Sequence, residues 1–182
     1  MPILPASHSA MRAIVRPAGA EDLQTIHDMA QVVFRQTYKD IISPEQMEYM
    51  MDMMYSLPNL KKQLEDGHHY YLAYMDGTAC GYVSVQHEGS DSEGIEVFHL
   101  HKIYVMPSAQ GGGIGLQLFN AAVSHVRSAV SGNPARIELN VNKNNKAVDF
   151  YKHLGMRILL EEDFPIGNGF YKTDYIMGLD IL

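Results

Sequence analysis

One stretch limits what this chain can become more than any other: His99–Gly115, which reads HLHKIYVMPSAQGGGIG. A short apolar strand carrying Leu100, Ile103, Tyr104 and Val105 runs into Met106-Pro107. Gln110 and three consecutive glycines follow, then Ile114-Gly115 and a run with helical spacing. Strand, backbone-rich loop and helix start, in that order, make a place for an anion. Glycine amides approach it with no side chain in the way, and the first helical turn carries partial positive charge. The expectation is a loop that grips the pyrophosphate of a nucleotide-like cofactor, with the strand before it carrying the reacting end. The bland alternative is a Gly-rich turn that only starts a helix. It is not a P-loop, because no Lys-Ser/Thr pair follows. Nor is it a dinucleotide GxGxxG, because Leu116 holds the place of the last glycine and the loop does not open the first βα unit.

Composition narrows the partners. A chain of 182 residues with 46% hydrophobic and 19% charged residues fits one globular domain with a substantial core. The formal net charge of -7 argues against nucleic acid, whose binders carry a basic face. The single cysteine, Cys80, excludes an internal disulfide and fits a reducing compartment. Its place in an expected strand suits a buried thiol better than a nucleophile. No apolar run is long enough to span a bilayer. The start, MPILPASHSA, lacks a basic region followed by an apolar one. A flexible tail over 1–10, a domain over 11–182 and a cytoplasmic location are expected, with no membrane partner.

Taken in order, Met11–Arg16 reads as a strand ended by Pro17. Ala20–Tyr38 has one apolar stripe at helical spacing. Ser43-Pro44-Glu45-Gln46 starts a second helix, with Ser43 as N-cap, Pro44 at the first position and Gln46 completing a capping box. That helix holds Met47, Met50, Met51, Met53 and Met54, read first as core and second as a flexible wall over a substrate pocket. A third helix, Asn59–Glu65, ends at Gly67, and His68-His69 open a strand at the surface. Tyr70–Met75, Asp76-Gly77 and Thr78–His87 form a hairpin. After a polar turn at Gly89–Gly94, Ile95–Val105 is a strand, Leu116–Val130 a helix, Ile137–Val141 a strand and Asn144–Leu154 a helix. Met156–Leu160 and Phe170–Leu179 are the last strands, joined by a loop containing Gly167-Asn168-Gly169. The fold class is α/β (α+β): a mixed central sheet with helices on both faces. The strand ending at Val105 should run parallel to Ile137–Val141, with the ligand at the carboxyl ends of the strands.

A second stretch, Val141–Met156 (VNKNNKAVDFYKHLGM), joins the first. A strand-Q-x-x-G-x-G block followed about thirty residues later by N-x-x-A-x-x-F-Y-x-x-x-G resembles the GNAT superfamily of acyl-CoA-dependent N-acyltransferases. The resemblance runs from about Met11 to the C-terminus. The N-terminal half and the ending Asp174–Leu179 are similar to its spermidine/spermine acetyltransferase-like branch. It implies a splayed sheet, acetyl-CoA as acyl donor, a small-molecule amine as acceptor and a homodimer. The backbone of Ile103 and Val105 would then pair with the pantetheine arm, and the amides of Gly111, Gly112, Gly113, Ile114 and Gly115 would hold the pyrophosphate. Asn144 would touch the pantetheine arm or the acceptor side. Tyr104, Gln110, Ala147 and Phe150 complete the implied cofactor-binding set. Tyr151 would lie near the sulfur and protonate the leaving thiolate; the residues alone favour a core tyrosine there.

Members of that superfamily often carry a Glu at the position aligned here with His99, so the general base is open. His99 and His101 share one strand face and titrate near neutral pH. Glu96, Tyr38 and a water chain are the other candidates. Two half-buried strand histidines are the bland reading. His87 stands across the hairpin from the pair, but no third ligand can be placed, so no metal is expected. Lys143, Lys146 and Lys152 either meet the 3′-phosphate of CoA or form a solvated face. The acceptor side falls to Phe34–Tyr55 and Phe164–Phe170, with Asp40, Glu45, Glu48 and Asp52 as its acids. The competing function is a non-catalytic acyl-CoA-binding sensor on the same fold.

Overall fold

The structure is a computed structural model and describes residues 13–181. The expected tail over 1–10 and the first residues of the expected strand Met11–Arg16 lie outside the described residues. Seven strands and five helices follow in the order β1 (Ile14–Ala18), α1 (Leu23–Tyr38), α2 (Pro44–Tyr55), α3 (Leu57–Glu65), β2 (His69–Met75), β3 (Thr78–Ser90), β4 (Glu96–Val105), α4 (Ile114–Val130), β5 (Ala135–Asn142), α5 (Ala147–His153), β6 (Arg157–Gly167) and β7 (Phe170–Ile181). The strands form one mixed sheet in the order β1-β2-β3-β4-β5-β7-β6. One face packs against α4 and α5, the other against α1, α2 and α3. The expected class, a mixed sheet with helices on both faces, is the fold observed.

Local chemistry explains most boundaries. Asp76 (φ 49°) and Gly77 (φ 78°) make the tight β2–β3 turn, both in the left-handed region such a hairpin needs. The α1 stripe buries Leu23, Ile26, Met29, Ala30, Val33 and Phe34. In α2, Met47, Met50 and Met51 are buried with Tyr55, so the methionine run is core.

Five expectations change. β1 runs through Pro17 to Ala18, because β1 is an edge strand and tolerates a residue without an N–H. Ser43 Oγ does accept from Gln46 N at 3.1 Å, but Gln46 forms no reciprocal cap. Its Nε2 donates instead to Tyr171 O at 3.0 Å, tying α2 to the last hairpin. The helix expected from Asn144 starts at Ala147: Asn142 Oδ1 accepts from Asn144 N and Asn145 Oδ1 from Ala147 N, and these side-chain turns replace the first helical turn. β6 continues well past Leu160 to Gly167, so Gly167-Asn168-Gly169 is a tight turn rather than part of a loop. Tyr49 Oη donates to Ile166 O at 2.7 Å and holds that hairpin over α2. Finally, His68 is half-buried, not at the surface: its ring stacks on His101 with centroids 4.3 Å apart.

Candidate active site

β4 and β5 are parallel neighbours over only four pairs, Glu96↔Ala135 to His99↔Glu138. β4 then continues to Val105 and β5 to Asn142, so the two diverge and the β4 edge beyond His99 loses its strand partner. A bulge coincides with the split. Ser84 faces Lys102 and Val85 faces Leu100, which leaves His101 as the extra residue on β4. A cleft of about 1060 Å³ fills the gap. Its walls are the end of α1, β4 from Leu100 to Val105, the glycine loop, β5 from Leu139 to Val141, and the segment from Asn144 to Tyr151.

The residues expected at the cofactor meet here. Ile103, Tyr104, Val105, Gln110, Gly111, Gly113, Ile114, Gly115, Asn144, Ala147, Phe150 and Tyr151 all line the cleft. Gly112 does not. Gly111 and Gly113 both have φ of 83°, a left-handed backbone that glycine adopts without strain, and Gly113 caps α4. No acid stands in the first turn of α4, so nothing offsets the positive helix end that faces the cleft. Gln110 Nε2 donates to Val105 O at 3.0 Å and braces the loop against the strand. Phe150 packs over Gly115, 3.5 Å from where a Cβ would lie. A cleft with an unpaired strand edge, bare amides and a helix start at one end fits a long ligand with an anionic terminus.

Tyrosines crowd the other end. Tyr151 is 6% exposed, and burial raises its hydroxyl's pKa well above the usual phenol value, with the nearby Tyr38 adding to the rise. Tyr38 Oη lies 3.3 Å from Tyr104 Oη and accepts from Asn145 Nδ2 at 3.4 Å. Behind them Tyr82 Oη donates to Tyr55 Oη at 2.7 Å. Burial raises each of these hydroxyls, so all stay protonated near neutral pH.

The two histidines part company. His101 lines the cleft; His99 does not. Their rings are 4.6 Å apart, beside His68. Burial pulls His99 down to about 4, with Glu138 opposing the shift, and pulls His101 down to about 2, with the neighbouring rings and lysines adding to it. Gln86 Oε1 accepts from His101 Nε2 at 2.9 Å, which leaves Nδ1 as the basic nitrogen. His99 Nδ1 is 3.9 Å from Glu88 Oε2, a carboxylate raised by burial and by Glu138. Glu96, a candidate base, is excluded by position: His87 at 2.5 Å and Ser90 at 2.7 Å hold its carboxylate outside the cleft. Tyr38 stays at the cleft. Of the lysines, Lys146 lines the cleft, while Lys143 pairs with Glu161 at 2.7 Å.

Two buried charged groups escaped the sequence reading. Lys102 is 4% exposed, pulled down to about 7 by burial. Its Nζ donates to Tyr70 Oη, Met54 O and Gln63 Oε1 at 2.6 to 2.9 Å and sits 4.3 Å from the centre of the Tyr55 ring. Asp174, on β7, is fully buried. A lysine or aspartate in a strand reads as its solvent face, and only the tertiary layers above it reverse that. Of the acids expected on the acceptor side, Asp40 lines the cleft, Glu48 pairs with Arg35, and Glu45 and Asp52 are exposed.

Comparison with known proteins agrees with this arrangement. An uncharacterised N-acetyltransferase from Methanocaldococcus jannaschii is 35% identical over 98 residues, 53% of this chain. This chain spans about 41% of that relative's length. Among solved structures, the PaiA N-acetyltransferase of Thermoplasma acidophilum in complex with coenzyme A superposes with a TM-score of 0.73 at 22% identity, covering 92% of this chain and 98% of the other. A GCN5-related N-acetyltransferase structure from Rhodopseudomonas palustris gives 0.74 at 20% identity, covering 94% and 98%. The ribosomal-protein-S18-alanine N-acetyltransferase of Escherichia coli gives 0.67 at 15% identity, covering 93% and 94%. These likenesses establish the fold. A family model described as Acetyltransferase (GNAT) family matches residues 31–156, a span that holds the split strands, the glycine loop and Tyr151, and the chain belongs to that family.

Proposed function

We propose that this chain transfers an acetyl group from acetyl-CoA to the primary amine of a small molecule, by direct attack within a ternary complex. The observation that carries the reading is the unpaired β4 edge opening into a cleft with bare glycine amides at one end and the Tyr151 hydroxyl in its wall. Bound there, acetyl-CoA supplies an activated acetyl thioester. The β4 backbone at Ile103 and Val105 offers hydrogen bonds to an extended pantetheine arm, as a neighbouring strand would. The amides from Gly111 to Gly115 hold the pyrophosphate, and Lys146 at the cleft adds positive charge for phosphate. A β4 amide, with Val105 the assigned donor, polarises the thioester carbonyl.

Tyr151 keeps its proton across the neutral range and gives it to the departing thiolate. His101 Nδ1, on the cleft wall, takes the proton of the acceptor's ammonium, directly or through water. Burial keeps both the His99 and His101 rings neutral, so His101 Nδ1 is free to accept. Cys80 takes no part: it is buried away from the cleft, and its Sγ donates to Ala73 O at 3.4 Å.

The acceptor class, polyamine-like or another amine, the cytoplasmic location and the homodimer belong to the same proposal. The absence among the described residues of a helix long and apolar enough to cross a membrane is consistent with the location. The exposed Ile158, Leu159 and Leu160 on edge strand β6 support the dimer. The test is thiol release from acetyl-CoA across polyamines, amino acids, aminoglycosides and peptide N-termini. Amine-dependent release is expected. CoA binding with no amine-dependent release would favour the non-catalytic sensor. Protection against heat by ATP or NAD but not by CoA would overturn both readings.

A further inference from the structure

Asp174 is buried with no hydrogen bond to justify it. It lies on β7 between Asn142 of β5 and Glu162 of β6, 0% exposed. Neither carboxylate oxygen accepts a hydrogen bond from a described residue. Its ionic contact is Lys172 Nζ, 3.4 Å from Oδ2 and two residues earlier on the same strand face. Burying a carboxylate without hydrogen bonds is costly, so a fold that keeps one there gains something by it outside stability.

The carboxylate faces a small cavity of about 20 Å³, whose walls include Tyr38, Gln46, Met50, Asn140 and Lys172. That volume holds one water-sized group, which is also the size of a primary ammonium head. Tyr38 and Asn140 line this cavity and the large cleft alike, which places the chamber beside the cleft, on the flank of α1 and α2. Among the described residues lining it, Asp174 is the one carboxylate. Tyr38 feels the charge of Asp174 and itself adds to the rise at Tyr151, which links the chamber to the reacting end.

We propose that Asp174 binds the cationic group of the acceptor, which takes over the place held by Lys172 Nζ in the free chain. This rests on the acetyl-transfer reading and narrows its acceptor to a positively charged amine. An ammonium brings three donors to a carboxylate that now accepts none, whereas a neutral hydroxyl brings one donor and no charge. Lys172 is about a third exposed and can turn its own ammonium out to water when displaced.

Putrescine and spermidine are the probes, because one ammonium can sit at Asp174 while another nitrogen is deprotonated and attacks; butanol is the neutral control. In wild type these amines are expected to support thiol release. Asp174→Asn should raise the amine KM by about tenfold or more with the acetyl-CoA KM within about twofold, the split expected when one substrate's ion pair is lost. Lys172→Ala, which removes the competing ammonium, should lower the amine KM. An amine KM in Asp174→Asn within about twofold of wild type overturns the proposal. If Asp174→Asn does not fold, Lys172→Ala decides alone, and an unchanged or higher amine KM overturns it. If wild type releases no thiol with any amine, the acetyl-transfer reading fails and the anchor is read from heat stability in the presence of CoA. Stabilisation of wild type by the amines and not by butanol, lost in Asp174→Asn, supports the anchor. Equal stabilisation of both proteins, or none of wild type, overturns it.

Discussion

Tyr151 holds its proton because burial disfavours the phenolate and the nearby Tyr38 adds to the effect. Removing that one oxygen leaves a phenyl ring of the same shape, so Tyr151→Phe is expected to cut turnover by more than about tenfold, within the ~10²–10⁴ typical of a general acid, with acetyl-CoA affinity little changed. Steady-state rates paired with a CoA titration check it, and unchanged turnover would remove the acid role. Lys102 makes a different prediction. Its proton affinity is about 7 in the fold against 10.5 for a free lysine, so between those values the unfolded chain binds a proton that the fold does not. Stability therefore rises with pH from about 7 towards about 10, where tyrosine ionisation in the unfolded chain begins to reverse the trend. Lys102→Met should flatten that rise in a series of melting curves; an equally steep rise in the variant would contradict the assignment. At this scale the sequence was legible where a residue type has one use, as with the glycines at positive φ. It was least legible for Lys102, Asp174 and His99, whose chemistry is set by what later elements lay over them.

Among the elements, the glycine loop and α4 carry the proposed anion grip and also brace the strand. Gly113 sits at φ 83° with open space around its Cβ position, so the backbone angle alone resists a side chain there. Gly113→Ala is expected to destabilise the fold by about 1–2 kcal/mol and to weaken CoA binding, seen by melting and by calorimetric titration. Helix spacing, the Asp-Gly hairpin and the βαβ connection from β4 to β5 were all readable beforehand, since each depends on nearby residues. The point at which β4 and β5 part was not, because a bulge at His101 and a parallel ladder of four pairs leave no local signature. The reach of β6 to Gly167 was hidden as well: Pro165 reads as a breaker, yet on an outermost strand it costs no ladder bond.

At the scale of the whole molecule, two helical layers close over a sheet that is split in the middle. The split brings together residues more than a hundred positions apart in sequence, such as Tyr38 and Asn145. On the proposed function the layer of α4 and α5 supplies the anion grip and the acid, and the layer of α1 and α2 the acceptor side. On the same reading that division lets both substrates occupy one cleft together, with Cys80 buried away from it. The central claim is this direct transfer, and initial rates over a grid of acetyl-CoA and amine concentrations test it. Intersecting lines in the double-reciprocal plots are the predicted result; parallel lines, the mark of a covalent acetyl-enzyme, would contradict it.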